Sequence, residues 1–203
     1  APLVAGTSMS SIEGDDLLSA STPIGFTFSF EGLPYTSFKV SSNGFMTFGN
    51  GTSSMSGNNS SPASNMKPLL APLWDDLDGS APNSAASYQV SGTAPNRVFT
   101  FEWLNYEWSY NSSSDDVSFQ VKLYETTNKI EFIYRDEAGS ITSPDATIGI
   151  LGASSYLTLN NTSSSPVASS TSFTTSISSP PASGQIYKFS IPEICFAPNG
   201  VTV

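Results

Sequence analysis

The chain has 203 residues, enough for one well-buried core, since a domain of this size hides about 70% of the surface its unfolded chain would expose. Only 12% of its residues are charged, and 7 basic against 17 acidic residues leave a formal net charge of −10; that charge repels nucleic acid and anionic membrane surfaces and sets both aside as partners. Histidine is absent and Cys195 is the single cysteine, which removes the commonest general base, the commonest zinc ligand, Ser-His nucleophile systems and an internal disulfide.

No run of 18 apolar residues occurs, so membrane insertion is not predicted. No charged-then-apolar leader stands at Ala1, and an export signal is expected to have been removed or to lie outside this chain.

In chain order, the first strong signal is "IGFTFSF", Ile24 to Phe30, where Phe26, Phe28 and Phe30 alternate with small polar residues. A period of two means a strand with one buried face. "TSFKVSS" repeats it with Phe38 and Val40, and Asn43-Gly44 then predicts a hairpin closed by a type I′ turn, whose two central residues both need positive φ. Asn50 to Asn65, rich in Ser, Gly and Asn, reads as a long surface loop. "AASYQVSG" is a further strand, and "RVFTFEW" places Phe99, Phe101 and Trp103 on one side. "VSFQVKLYE" does the same with Val117, Phe119, Val121 and Leu123, and forms a second hairpin with "NKIEFIYR". "ATIGILG" and "GQIYKFSI" supply two more strands around a second loop, Ser163 to Ser183. The expected fold is all-β: an antiparallel, jelly-roll-like β-sandwich of about nine to eleven strands with long Ser/Asn-rich loops. Residues 1–191 read as one domain, and 192–203, "PEICFAPNGVTV" with its leading Ile191 excluded, as a linker or the start of another.

Four stretches in order, "VSSNGFMTFG", "LLAPLWDDLDG", "YQVSGTAPNRVFTFEWLNYEW" and "VSFQVKLYETTNKIEFIY", resemble the nidogen-type extracellular (NIDO) module. The likeness covers roughly Pro23 to Leu151. "PIGFTFSFEG" is also similar to the opening of modular surface proteins that bacteria export, and the tail resembles the lead-in to a fibronectin type III domain. The resemblance implies a secreted or cell-surface adhesion module without catalytic activity, exported by a type IX route in the bacterial case.

Two clusters carry candidate chemistry. In "WDDLDG", Asp75, Asp76 and Asp78 are candidate calcium ligands, because a hard cation takes six to eight oxygens and the Gly lets backbone carbonyls turn inward. Asp76 and Asp78 fall on the family's D-x-D positions, and Asp75 points the other way if the segment is extended. The competing and preferred reading is a turn capped by aspartates. Asp15/Asp16 and Asp115/Asp116 read as edge-blunting charges ahead of strands, with metal ligation as the alternative.

In "FEWLNYEWSY", a break near Asn105 leaves Tyr106, Trp108 and Tyr110 on one face with Asn105 and Glu107 beside them. Exposed rings stack on sugar faces, making this the candidate glycan-binding platform; burial in a core is the competing and preferred reading. A glycosidase pair built on Glu102 or Glu107 would need a second carboxylate across a cleft, and none is identifiable in the sequence. Expected partners are a glycan or an extracellular protein, with self-association into a filament as the alternative.

Overall fold

The computed structural model describes residues 3, 6–49, 57–59, 66–112, 114–137 and 139–190. The tail from 192 to 203, with Cys195, and most of the loop from Asn50 to Asn65 lie outside the described residues. In chain order the strands are β1 (Thr7–Ser8), β2 (Thr22–Phe30), β3 (Leu33–Ser41), β4 (Phe45–Phe48), β5 (Leu69–Trp74), β6 (Ala85–Ser91), β7 (Val98–Tyr106), β8 (Val117–Tyr124), β9 (Ile130–Asp136), β10 (Thr147–Leu151), β11 (Tyr156–Leu159), β12 (Ala168–Ser169) and β13 (Ile186–Phe189). One sheet has the order β1-β6-β7-β8-β9-β13 and the other β12-β11-β10-β5-β4-β3-β2. They pack face to face as an antiparallel β-sandwich, as the alternation predicts. A 3-10 turn spans Ser10–Ile12, and no helix among the described residues is long and apolar enough to cross a membrane.

Within each sheet the strands run mostly as meanders, β2 to β5, β6 to β9 and β10 to β12.

Aromatic rings from both sheets fill the interior. Phe38 of β3 meets Phe99 of β7 edge-on at 4.7 Å between centroids, and Trp103 stacks on Phe119 at 4.8 Å. Buried rings with polar tips need partners, and the opposite sheet supplies them: Trp103 Nε1 donates to the Ser41 carbonyl (2.9 Å) and Tyr134 Oη to the Pro72 carbonyl (2.6 Å). Strand β5, "LLAPLW", is buried along its whole length. Leu70 and Leu73 enter the main core, while Leu69, Ala71 and Trp74 form a second cluster with Phe45, Met66 and Leu151. A strand covered on both faces has no alternation, which is why it escapes a period-two reading.

The turn after β3 differs from the one expected. Ser41 pairs with Phe45, leaving the three residues Ser42, Asn43 and Gly44, of which only Gly44 has positive φ (71°). A type I′ turn needs two such residues; a three-residue hairpin needs one left-handed residue at its end. The serines have separate work: Ser42 Oγ accepts the Leu17 N–H (2.9 Å) and Ser41 Oγ donates to the Leu17 carbonyl (3.0 Å). A Cβ added at Gly44 would lie 1.9 Å from the Leu73 carbonyl oxygen. Gly44→Ala is therefore expected to destabilise the fold by roughly 3 kcal/mol or more, against about 1 kcal/mol for Gly32→Ala, where φ is 78° but nothing lies within 4 Å. Urea unfolding midpoints of the two variants check this, and equal losses would contradict it.

Candidate functional site

The acidic motif and the aromatic motif meet at one end of the sandwich. A β-bulge in β7, between Trp103 and Tyr106, is centred on Asn105, whose φ is 54°. The extra residue shifts the strand's phase by one. Phe99, Phe101 and Trp103 face the core before it, and Tyr106 and Trp108 return to the core after it. Tyr106 Oη donates to the Ile12 carbonyl (2.7 Å), and burial pushes this phenol far above its usual range, keeping it a donor.

The aromatic platform is thereby corrected: Tyr106 and Trp108 are buried, and only Tyr110, 58% exposed, presents its ring to solvent. Asn105 is taken up structurally, its N–H donating to Ser118 Oγ (2.8 Å) and its Nδ2 to the Asn83 carbonyl (3.0 Å). Glu107 is buried too, exchanging backbone hydrogen bonds with Asp78 (2.9 and 3.2 Å).

The three aspartates of "WDDLDG" separate. Asp75 is buried: its Oδ2 accepts Trp108 Nε1 (2.6 Å) and the Asp145 N–H (2.9 Å), and its Oδ1 accepts the Asp76 N–H (2.8 Å). Asp78 caps a turn, accepting the Ser80 N–H and hydroxyl (both 2.8 Å). Asp76 turns toward Asp15 and Asp16, and one oxygen from each of the three lies within 4.8 Å of the others. Neither Asp75 nor Asp78 joins that group, so the trio of the sequence is replaced by Asp15, Asp16 and Asp76. Three convergent carboxylates fit a hard cation's ligand chemistry and fall short of its full oxygen count.

Asp116 neither blunts an edge nor joins this trio. It is buried ahead of the central strand β8, accepting the Trp108 N–H (2.8 Å) and the hydroxyls of Ser112 (3.0 Å) and Ser114 (2.6 Å). Glu102 accepts from Gln120 Nε2 (3.1 Å) and the Leu3 N–H (2.6 Å).

Beside Trp108 opens a cleft of about 300 Å³, lined by Asp75, Asp76, Asp145, Tyr110, Asn111 and the hydroxyl residues Ser109, Thr142 and Ser143. Among the described residues no basic side chain lines it. Asp145, on the β9–β10 connection, was not singled out by the sequence because an aspartate in a Ser/Pro-rich loop carries no local signal. Its carboxyl is pushed up to about 6 by burial, by its hydrogen bond with Asp75, and by the charges of Asp75 and Asp76. Burial, then mutual repulsion, likewise raises Asp15 and Asp76; Glu107 is raised by burial and by Asp78, Asp116 and Asp115.

These raised groups set the sign of the pH response. Between the ordinary aspartate range and about pH 6 the folded state binds more protons than the unfolded chain, so stability falls as pH rises through that window. The opposing groups are Glu125, lowered to about 2 by hydrogen bonding to Arg97, and Glu131, lowered against its burial by hydrogen bonds from Lys129 and Tyr124; their contribution is lost only as pH falls below the ordinary glutamate range. The melting temperature is expected to rise as pH drops from 7.5 to about 5, and Asp145→Asn should flatten that rise. A melting temperature that falls over this interval would contradict the assignment.

Compared with known families, the chain matches the one described as NIDO related, over residues 1–192. No curated protein and no solved structure matches it.

Proposed function

The chain belongs to the NIDO-related family, and from that premise we propose that it is a non-catalytic extracellular binding module that meets a glycan or protein partner through the loops of its acidic end. Membership implies an extracellular binding or structural module. The finer statements, display in a modular bacterial surface protein and a fibronectin type III-like segment from residue 192, are supported by the sequence resemblance alone.

One observation carries the reading. The cleft sets the exposed Tyr110 ring beside the Asn111 amide, three hydroxyls and the carboxylates of Asp76 and Asp145. A sugar offers an apolar face to such a ring and hydroxyls to such acceptors, and the absence of Lys and Arg from the lining favours a neutral or cationic ligand. Catalysis is not part of the proposal: the chain has no histidine, and Glu102 and Glu107 are buried and engaged. Turnover of any polysaccharide by the pure protein would overturn that point.

Assembly into a filament finds less support in the sheet edges. Edge strand β2 carries Pro23 and a register shift around Gly25, whose φ is 95°, and edge strand β13 exposes Lys188; both devices discourage pairing between sheets.

On a glycan array, the wild-type chain is expected to bind, and Tyr110→Ala to lose binding with an unchanged melting temperature. Binding that survives Tyr110→Ala would reject the cleft, and concentration-dependent oligomers without a ligand would favour assembly.

Calcium belongs to the same reading as a structural ion at Asp15, Asp16 and Asp76. Millimolar Ca²⁺ at pH 7.5 is expected to raise the melting temperature in a manner that Asp76→Asn removes and that weakens near pH 5, where protons compete for the carboxylates. Identical melting curves in Ca²⁺ and EDTA would remove calcium from the account.

A further inference from the structure

The acidic cleft carries a charge that no side chain in its lining answers. Among the described residues that lining holds the carboxyls of Asp75, Asp76 and Asp145 and no Lys or Arg. Two of the three are already committed. Asp75 gives its oxygens to donors of Trp108, Asp145 and Asp76, and Asp76 turns toward Asp15 and Asp16. Asp145 is the third, and it stands exposed in the lining. Its carboxyl is hydrogen-bonded with that of Asp75, so a cation placed at Asp145 meets the field of both.

The mount of Asp145 is firm. Its N–H donates to Asp75 Oδ2 (2.9 Å), and its carbonyl accepts Asn59 Nδ2, which also donates to the Trp74 carbonyl (3.3 Å). A binding group whose backbone is tied on both sides gives up little freedom when a ligand arrives. In the same lining stands the exposed Tyr110 ring, and the Ser109 hydroxyl donates to Asn111 Oδ1 (2.7 Å), fixing an amide beside that ring. Thr142 and Ser143 add exposed hydroxyls.

The surroundings supply no counter-charge. Burial and then carboxylate neighbours push Asp15, Asp76, Glu107 and Asp145 upward, and no Lys or Arg offsets any of them. A cation brought by a ligand relieves that repulsion, and the face of an aromatic ring adds to its attraction.

We propose that the ligand of this cleft is an amino sugar with a free ammonium group, the ammonium at Asp145 and the apolar sugar face on Tyr110. The inference rests on the reading of this cleft as a binding site and names its ligand class. Sugar hydroxyls suit the hydroxyl and amide groups of Ser109, Asn111, Thr142 and Ser143, which a bare metal cation would leave largely unused. A volume of about 300 Å³ is at the lower limit of small-molecule sites, so the cleft seats a terminal unit or a short stretch of a chain.

The test is calorimetric titration of the full chain, in low-salt buffer near neutral pH, with three tetrasaccharides of one backbone: those of glucosamine, N-acetylglucosamine and glucose. The glucosamine oligomer is expected to bind about fivefold tighter than either neutral one, the upper range of one exposed ion pair. Asp145→Asn should bring it down to the neutral oligomers while leaving theirs unchanged, and about 0.5 M salt should do the same to the wild type. Tyr110→Ala should weaken all three. Glu31→Gln removes an equal charge elsewhere, at the 153–155 turn that follows β10, where Glu31 accepts the Ala153 N–H (3.0 Å) and the Ser155 hydroxyl (2.7 Å). That variant should keep the preference. A preference that survives Asp145→Asn or high salt, or that Glu31→Gln reduces equally, would overturn the proposal, as would absence of saturable binding by every oligomer. Three equal affinities that Tyr110→Ala abolishes would strike the ammonium and leave the cleft standing as a glycan site.

Discussion

A single buried carboxylate, Asp75, organises one end of this molecule. A carboxylate withdrawn from water needs donors around it, and Asp75 takes them from the indole of Trp108 on the β7–β8 connection, the backbone of Asp145 on the β9–β10 connection, and its own neighbour Asp76. Segments from both sheets are thereby fixed relative to one another. Trp108 reaches Asp75 only because the bulge at Asn105 has turned the strand's phase, so the bulge and the carboxylate form one device. Tyr110, two residues farther, is left outside with its ring free for contact.

The same device concentrates charge. Asp15, Asp16, Asp75, Asp76, Asp78, Glu107, Asp115, Asp116 and Asp145 interact with one another at this end, nine of the chain's 17 acidic residues. Their repulsion is tolerated because hydrogen-bond donors serve the buried members: Trp108 and Asp145 at Asp75, Ser80 at Asp78, and Ser112, Ser114 and the Trp108 N–H at Asp116. The serines so abundant in this sequence act here as local ligands for carboxylates, in a chain with too few cations to pair them. At the other end of β10 the sheets part over the apolar side chains of Phe30, Ile130, Ile150, Leu157 and Phe189. One end of the sandwich is thus acidic and hydroxylated and the other chiefly apolar.

Much of this was legible in the residues. The alternation at Phe26, Phe28 and Phe30, at Phe99, Phe101 and Trp103, and at Val117 through Leu123 gave the strands and their buried faces, and both hairpins follow from it. Strand β5 was hidden because both of its faces are covered, which leaves a continuous apolar run with no period. The break at Asn105 was visible; its consequence was not, because one extra residue inverts the facing of every later side chain, and only the pairing of Trp103 with Phe119 and of Tyr106 with Val117 reveals the count.

The sequence by itself determined an antiparallel sandwich, its chief strands, its acidic character and the two motifs of interest, since each of these depends on residues near one another along the chain. Tertiary structure alone decided which aspartates meet, because Asp15 and Asp76, or Asp75 and Asp145, are brought together by strands from distant parts of the chain. It also decided that Trp108 is a pillar and Tyr110 a surface, a distinction between two rings two residues apart that rests on whether a buried carboxylate stands within reach of the indole N–H.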